Sequence, residues 1–178
     1  LTFVTNSFAD GDSLPSTTDL RCTETDDSIA ITHKDKPVLR YVKLPTPDAA
    51  KNDPVYTRTG YIHPLFSPKQ RMITGDYAPD HPHQHAIFFA WTNTSFEGRK
   101  INFWDQKKGK ARISYVSTVE VVNENAFAGF TVKHLHEDLT APGGKPKPVL
   151  DETWRVQVRK PTGDFYLIDI ESTQTCAS

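Results

Sequence analysis

Leu150-Asp151-Glu152-Thr153-Trp154-Arg155-Val156-Gln157-Val158-Arg159 carries the clearest structural period in the chain. In an extended chain Glu152, Trp154, Val156 and Val158 share one face, while Thr153, Arg155, Gln157 and Arg159 share the other. A period of two sustained over ten residues describes a strand with one face on a core and one in water. Working outward, Ile113, Tyr115, Val119 and Val121 alternate on an earlier strand that turns at Asn123-Glu124-Asn125, and Phe127 to Leu135 returns. The turns Ala141-Pro142-Gly143-Gly144 and Pro161-Thr162-Gly163-Asp164 flank the quoted strand, and Phe165 to Ser172 follows.

Toward the N-terminus, Ser28 to Thr32, the turn Lys34-Asp35-Lys36-Pro37 and Val38 to Val42 predict a hairpin. Residues 45–59 hold three prolines and little periodicity, which predicts a long loop. Tyr61 to Phe66 and Met72-Ile73-Thr74 read as short strands, and 85–92 as a buried one. Residues 93–111 are a polar stretch with Phe96, Phe103 and Trp104 embedded in it. Residues 6–19 are rich in Ser, Thr, Asp and Gly, and a mobile arm is expected over residues 1–25. No window carries a helical period over ten residues. The expectation is an all-β chain, an antiparallel β-sandwich forming one domain over residues 1–178.

A length of 178 residues suits one domain with a real core. The formal net charge is −1 and no basic run stands out, so nucleic-acid binding has no electrostatic footprint. No apolar stretch approaches the roughly 20 residues that cross a bilayer as a helix. The first residue is Leu1 rather than Met, which suggests removal of a leader or upstream segment. Cys22 and Cys176, near opposite ends, leave two alternatives open: one disulfide, or two unrelated thiols. Asn93-Thr94-Ser95 matches the glycosylation sequon.

The segment that points to chemistry is Asp80-His81-Pro82-His83-Gln84-His85, running into Ala86-Ile87-Phe88-Phe89-Ala90-Trp91. Pro82 disfavours a helical path for His81, so the three imidazoles should line one side of an extended chain. On an acid/base reading, one of His81, His83 and His85 transfers a proton to or from a sugar, with Asp80 as the nearest orienter. Glu152, opening the apolar face of its strand, is the matching base; burial there should raise its pKa. The bland alternative pairs Glu152 with an arginine at the sheet's end. That reading needs no cofactor. An alternative takes His83 and His85 as ligands of one divalent metal ion, the third ligand coming from His63, His134, His136 or Glu152. The glutamate and glycine spacing of a cupin motif is absent after His85. Exposed rings among Trp91, Phe96, Phe103, Trp104 and Tyr61 would serve as stacking platforms for a sugar. His134 and His136 form a second His-x-His, read either as buried and hydrogen-bonded or as surface residues at a strand's end.

Several blocks recur in order in a known family. They are Tyr61-Ile62-His63-Pro64-Leu65-Phe66-Ser67-Pro68, Asp80 to His85, Phe88-Phe89-Ala90-Trp91-Thr92, Asn102-Phe103-Trp104, and Pro148-Val149-Leu150-Asp151-Glu152-Thr153-Trp154. Over roughly residues 55–170 the chain resembles a bacterial family that has carried the name methane oxygenase PmoA. The resemblance implies a galactose-mutarotase-like β-sandwich, a secreted or periplasmic location, and a carbohydrate or sugar-derived small molecule as partner. His63 and Tyr61 would line its pocket with Asp80, Trp91 and Trp104. Methane oxidation itself is not expected, because the membrane oxygenases are rich in spanning helices. A non-catalytic sugar-binding module is the remaining alternative, and oligomeric state is left open. Two departures stand out: Ala86 where glycine is expected, and family members that continue with further strands beyond this C-terminus.

Overall fold

The computed structural model describes residues 19–47, 51 and 53–177. Twelve strands are seen: β1 Leu20–Glu24, β2 Ser28–His33, β3 Lys36–Val42, β4 Tyr61–Leu65, β5 Asp76–Ala78, β6 His81–His85, β7 Thr94–Phe96, β8 Arg99–Ile101, β9 Ala111–Asn123, β10 Phe127–Asp138, β11 Lys147–Arg159 and β12 Ile168–Cys176. Two four-stranded sheets, ordered β1-β2-β3-β4 and β12-β11-β10-β9, form the layers of an antiparallel β-sandwich; β5-β6 and β7-β8 are separate two-stranded ribbons.

Strand β11 keeps the alternation of its sequence. Glu152, Trp154, Val156 and Val158 are all buried, and Arg155 and Arg159 are exposed; Gln157, expected on the water face with them, is buried as well. The same face contributes Phe130 and Val132 from β10, and the opposing sheet contributes Ile29, Ile31, Val38, Leu39 and Tyr41 to one shared core. A second, smaller cluster gathers Ile101, Phe103, Ala111, Ile113 and Val149. The β2–β3 hairpin closes through Lys34 and Asp35, both at positive φ (52° and 60°), the turn geometry that matches strand twist.

Four expectations are corrected. Residues 85–92 are not a strand: the chain leaves β6 at His85 through Ala86, whose φ of 57° lies in the left-handed region that favours glycine, and Ile87 then bridges Ile62. Met72 to Thr74 makes only an isolated bridge, Met72 to Phe66. In β9 the pairing with β10 shifts at two bulges, which leave Val116 and Val119 as extra residues. Both point outward, and so Val119 does not share the buried face of Ile113. Of the expected arm, 1–18 lie outside the described residues, and Leu20–Glu24 is an edge strand with Leu20 and Cys22 in the core.

The two thiols are free. Cys22 is buried in one sheet, where desolvation pushes its thiol up to about 12, and Cys176 is exposed on β12 of the other. Among the described residues no helix is long and apolar enough to cross a membrane.

Candidate functional site

The histidines of β6 share one side of the strand, but they grade from water into the core rather than converging. His81 is exposed, its Nδ1 3.1 Å from Asp80 Oδ2. His83 is half-buried, its ring edge-on to Trp104 at 4.4 Å, and its Nε2 is buried without a partner among the described residues. His85 is wholly buried: Nδ1–H donates to Asp76 Oδ1 at 2.8 Å, and Nε2 lies 3.1 Å from Gln106 Oε1. Both ring nitrogens of His85 are therefore engaged, which leaves neither free to share an ion with His83. Among the described residues no group of three or more His, Cys, Asp or Glu is placed to hold a metal ion.

Tyr61, expected to face a ligand, is fully buried and donates its hydroxyl to Asp76 Oδ2 at 2.8 Å; burial and the adjacent Asp76 carboxylate push its phenol up. Phe103 is likewise core, at 1 % exposure. His63 is half-buried on β4, its Nδ1 3.0 Å from Thr74 Oγ1.

The densest polar chemistry lies elsewhere, around Glu152. Its Oε2 accepts from His134 Nδ1–H at 3.1 Å and from His136 Nε2–H at 2.8 Å. Its Oε1 accepts from Trp154 Nε1–H at 2.8 Å, Ser172 Oγ–H at 2.5 Å and Gln174 Nε2–H at 2.9 Å. Burial alone would raise this carboxyl, as the sequence suggests, but the donors from His134, His136, Ser172 and Gln174 outweigh it and hold it far below the usual carboxylate range. The expected raised pKa is thus overturned, and so is pairing with an arginine: five hydrogen bonds, two from imidazoles, saturate an anion.

The register explains the assembly. The β10–β11 pairing sets His134 opposite Glu152 and His136 opposite Leu150, so both imidazoles flank one carboxylate. Burial also keeps His134 below its usual range, favouring the neutral ring. With Nδ1 donating to Glu152, its Nε2 accepts from the Tyr41 hydroxyl at 2.6 Å. Burial pushes Tyr41 well up, consistent with that donor role. Arg58 lies close by, 3 % exposed and paired with no described carboxylate. Its Nη1 and Nη2 donate weakly to the carbonyls of Phe103 and Phe89 at 3.4 and 3.3 Å, and its guanidinium lies 4.5 Å from the Phe88 ring. Desolvation pulls it down to about 10 against the field of Glu152.

This network reaches the surface at Gln174. Gln174 joins Glu152 to Trp91, whose Nε1–H donates to Gln174 Oε1 at 2.8 Å. Phe89, Ala90, Trp91, Ser172 and Gln174 line an open concavity of about 390 Å³, and Trp91 is 56 % exposed beside it. Phe89 in turn packs edge-on against Trp154 at 5.1 Å. The sequence reading places Trp91 beside the histidines of β6, but it lines this concavity with Phe89, Ser172 and Gln174, and none of those histidines does. Phe89, Ser172, Gln174 and the Glu152–His134–His136 cluster are not singled out as one site by the sequence. The signal for the cluster was present, because folding the chain back about Gly143 puts the second His-x-His against Glu152.

Gly60 seals the far side of the cluster. It sits at φ 77°, and a Cβ there would lie 3.2 Å from His134 Nε2. Gly60→Ala should cost about 1–2 kcal/mol in chemical denaturation, through backbone strain and pressure on the Tyr41–His134 bond. An unchanged midpoint would show that the loop relaxes freely.

A family model described as a family of unknown function (DUF6807) matches residues 28–178. No curated protein and no solved structure matches the chain.

Proposed function

We propose, for a chain that belongs to the DUF6807 family of unknown function, that its role is recognition of a carbohydrate ring in the Phe89–Trp91 concavity. The scaffold is read as a galactose-mutarotase-like sandwich working outside the cytoplasm. One observation carries this reading: the exposed Trp91 is anchored through its Nε1–H to Gln174, so its ring is held at a fixed attitude beside a polar floor. A sugar presents an apolar C–H face and a fringe of hydroxyls. A fixed indole meets the first, and Ser172 and Gln174 meet the second. The volume lies within the range of about 300–1,000 Å³ common to small-molecule sites.

Glu152 orients this site rather than transferring protons in it. Its lone pairs are occupied, and an anion so well satisfied is a weak base. A second reading, acid/base turnover of the sugar, is favoured by the exposed His81 beside Asp80, an imidazole–carboxylate pair open to solvent.

Tryptophan fluorescence titrated with a panel of neutral mono- and oligosaccharides tests the first reading. Trp91→Ala should weaken the best binder by about tenfold, the scale of one lost aromatic stack with its buried face. Its unfolding midpoint should barely move, because the side chain is exposed. Undiminished binding by Trp91→Ala would sink the proposal. Polarimetry on the same sugars addresses turnover, which His81→Gln should abolish.

A further inference from the structure

The peptide bond between Trp91 and Thr92 separates two concavities of different chemistry. Trp91 lines the aromatic one; Thr92 lines a second of about 450 Å³, bounded by Lys100, Lys108, Lys110, Asn93, Asn102 and Ser95. Three lysines line this second space, and among the described residues no aspartate or glutamate does. Lys108 reaches Asp105 only at 3.9 Å, on a side chain 59 % exposed. Lys100 and Lys110 pair with no carboxylate among the described residues.

What sets the three apart is that they line one concavity, whereas other lysines are paired or lie singly on the surface. Lys43 is bonded to Glu24 at 2.6 Å and Lys147 to Glu97, and the whole chain carries a formal charge of −1. Like charges gathered around one concavity give it a positive potential that favours an anion. The backbone beneath the lysines is fixed. Lys100 sits on β8 opposite Ser95, Gly109 closes the 3-10 turn Gln106–Lys108 at φ 58°, and the Lys110 carbonyl accepts from Leu139 N–H at 2.9 Å. Asn93, Asn102 and Ser95 add neutral donors and acceptors suited to hydroxyls.

We propose that this lysine pocket binds the carboxylate or sulfate group of an acidic glycan whose neighbouring ring lies on Trp91. The proposal rests on the carbohydrate reading above and deepens it, making the ligand an anionic polysaccharide rather than a neutral sugar. Trp91 and Thr92 are adjacent residues, their Cα atoms about 3.8 Å apart, which puts the two concavities within the span of one chain of linked sugars.

Affinity electrophoresis and calorimetry with polygalacturonate, dextran sulfate and uncharged dextran test it. At least one polyanion should bind more tightly than dextran, and the stronger of the two identifies carboxylate or sulfate. K100Q/K108Q/K110Q should weaken that binding by about tenfold or more, three exposed charge contacts combined, while leaving neutral-sugar binding as it was. K34Q/K36Q/K133Q, removing three exposed lysines elsewhere, should change neither. Polyanions binding no better than dextran, equal losses in the two triple variants, or duplex DNA outcompeting both polysaccharides would each overturn the inference. The two proposals fail separately. Lysine-dependent polyanion binding that survives Trp91→Ala would refute the carbohydrate-stacking reading and keep the anion pocket. Trp91-dependent sugar binding that ignores the three lysines would do the reverse.

Discussion

Glu152→Ala should lower the unfolding free energy by about 3–5 kcal/mol, the largest loss expected from any single change around the site. The residue is 2 % exposed and receives five hydrogen bonds. Removing it leaves the N–H groups of His134, His136 and Trp154 buried without acceptors, and unsatisfied buried donors cost about 1–3 kcal/mol each where no water replaces the partner. It also removes the carboxylate whose field acts most strongly on Arg58, which pairs with no carboxylate among the described residues. Glu152→Gln is the informative companion. Its amide oxygen can still serve Trp154, Ser172 and Gln174, but its NH2 faces two imidazole donors. His136 has a remedy, because its buried Nδ1 has no partner among the described residues and can take the proton while Nε2 accepts. His134 has none without reversing the Tyr41 hydrogen bond. The expected loss for the glutamine variant is therefore about half that of alanine. Urea denaturation of both, with unchanged m-values, measures it. A loss below about 1 kcal/mol for Glu152→Ala would show that water replaces the carboxylate at little cost.

The parts of this molecule that sequence makes readable are those governed by a local period. Alternation in 150–159 placed four side chains of β11 in the core, and Lys34-Asp35 marked a hairpin turn, because strand faces and tight turns depend on neighbouring residues. The two bulges of β9 defeated the same logic. Each inserts one residue relative to β10, and nothing local in Val116 or Val119 announces that it is extra. The strand read over 85–92 failed for a related reason. An apolar run looks like a strand at any position, while the left-handed turn at Ala86 is imposed by the Ile62–Ile87 bridge, a contact from another element.

The site divides along the same line. His81, His83 and His85 were conspicuous because they are close in sequence, and they do share a strand face. Their environments differ because Asp76 reaches them from one other segment and Trp104 and Gln106 from another. Glu152 was visible as a polar residue heading an apolar face, but the sign of its pKa shift was not. Burial is legible from the pattern on β11; the five donors come from β10, β11 and β12 together. Only Trp154 among them shares the local alternation.

Acid should destabilise the protein in two stages. The sign follows from two groups whose pKa values are both lowered on folding. Such a group binds its proton less readily in the native state than in the unfolded chain, so its contribution is complete above the unfolded value and fades as pH falls. For His134 the unfolded value is 6.5, and the neutral ring is needed to accept from Tyr41 while donating to Glu152. Stability should therefore be flat from about pH 7 to 8 and begin to fall below about 6.5. For Glu152 the unfolded value is 4.5, and its folded value lies far lower, so a second, steeper decline should run below about pH 4.5 with no plateau before the protein unfolds. His134→Gln should remove the first stage and Glu152→Gln should make the second markedly shallower, the remaining slope belonging to other carboxylates lowered on folding, such as Asp138 and Glu24. Unfolding free energies from urea titrations at half-unit steps between pH 3 and 8 resolve the two limbs. A wild-type curve that holds level down to pH 4, or a Glu152→Gln curve as steep below pH 4.5 as wild type, would mean that other carboxylates govern acid stability. The buried anion would then not be the electrostatic keystone that its five hydrogen bonds make it.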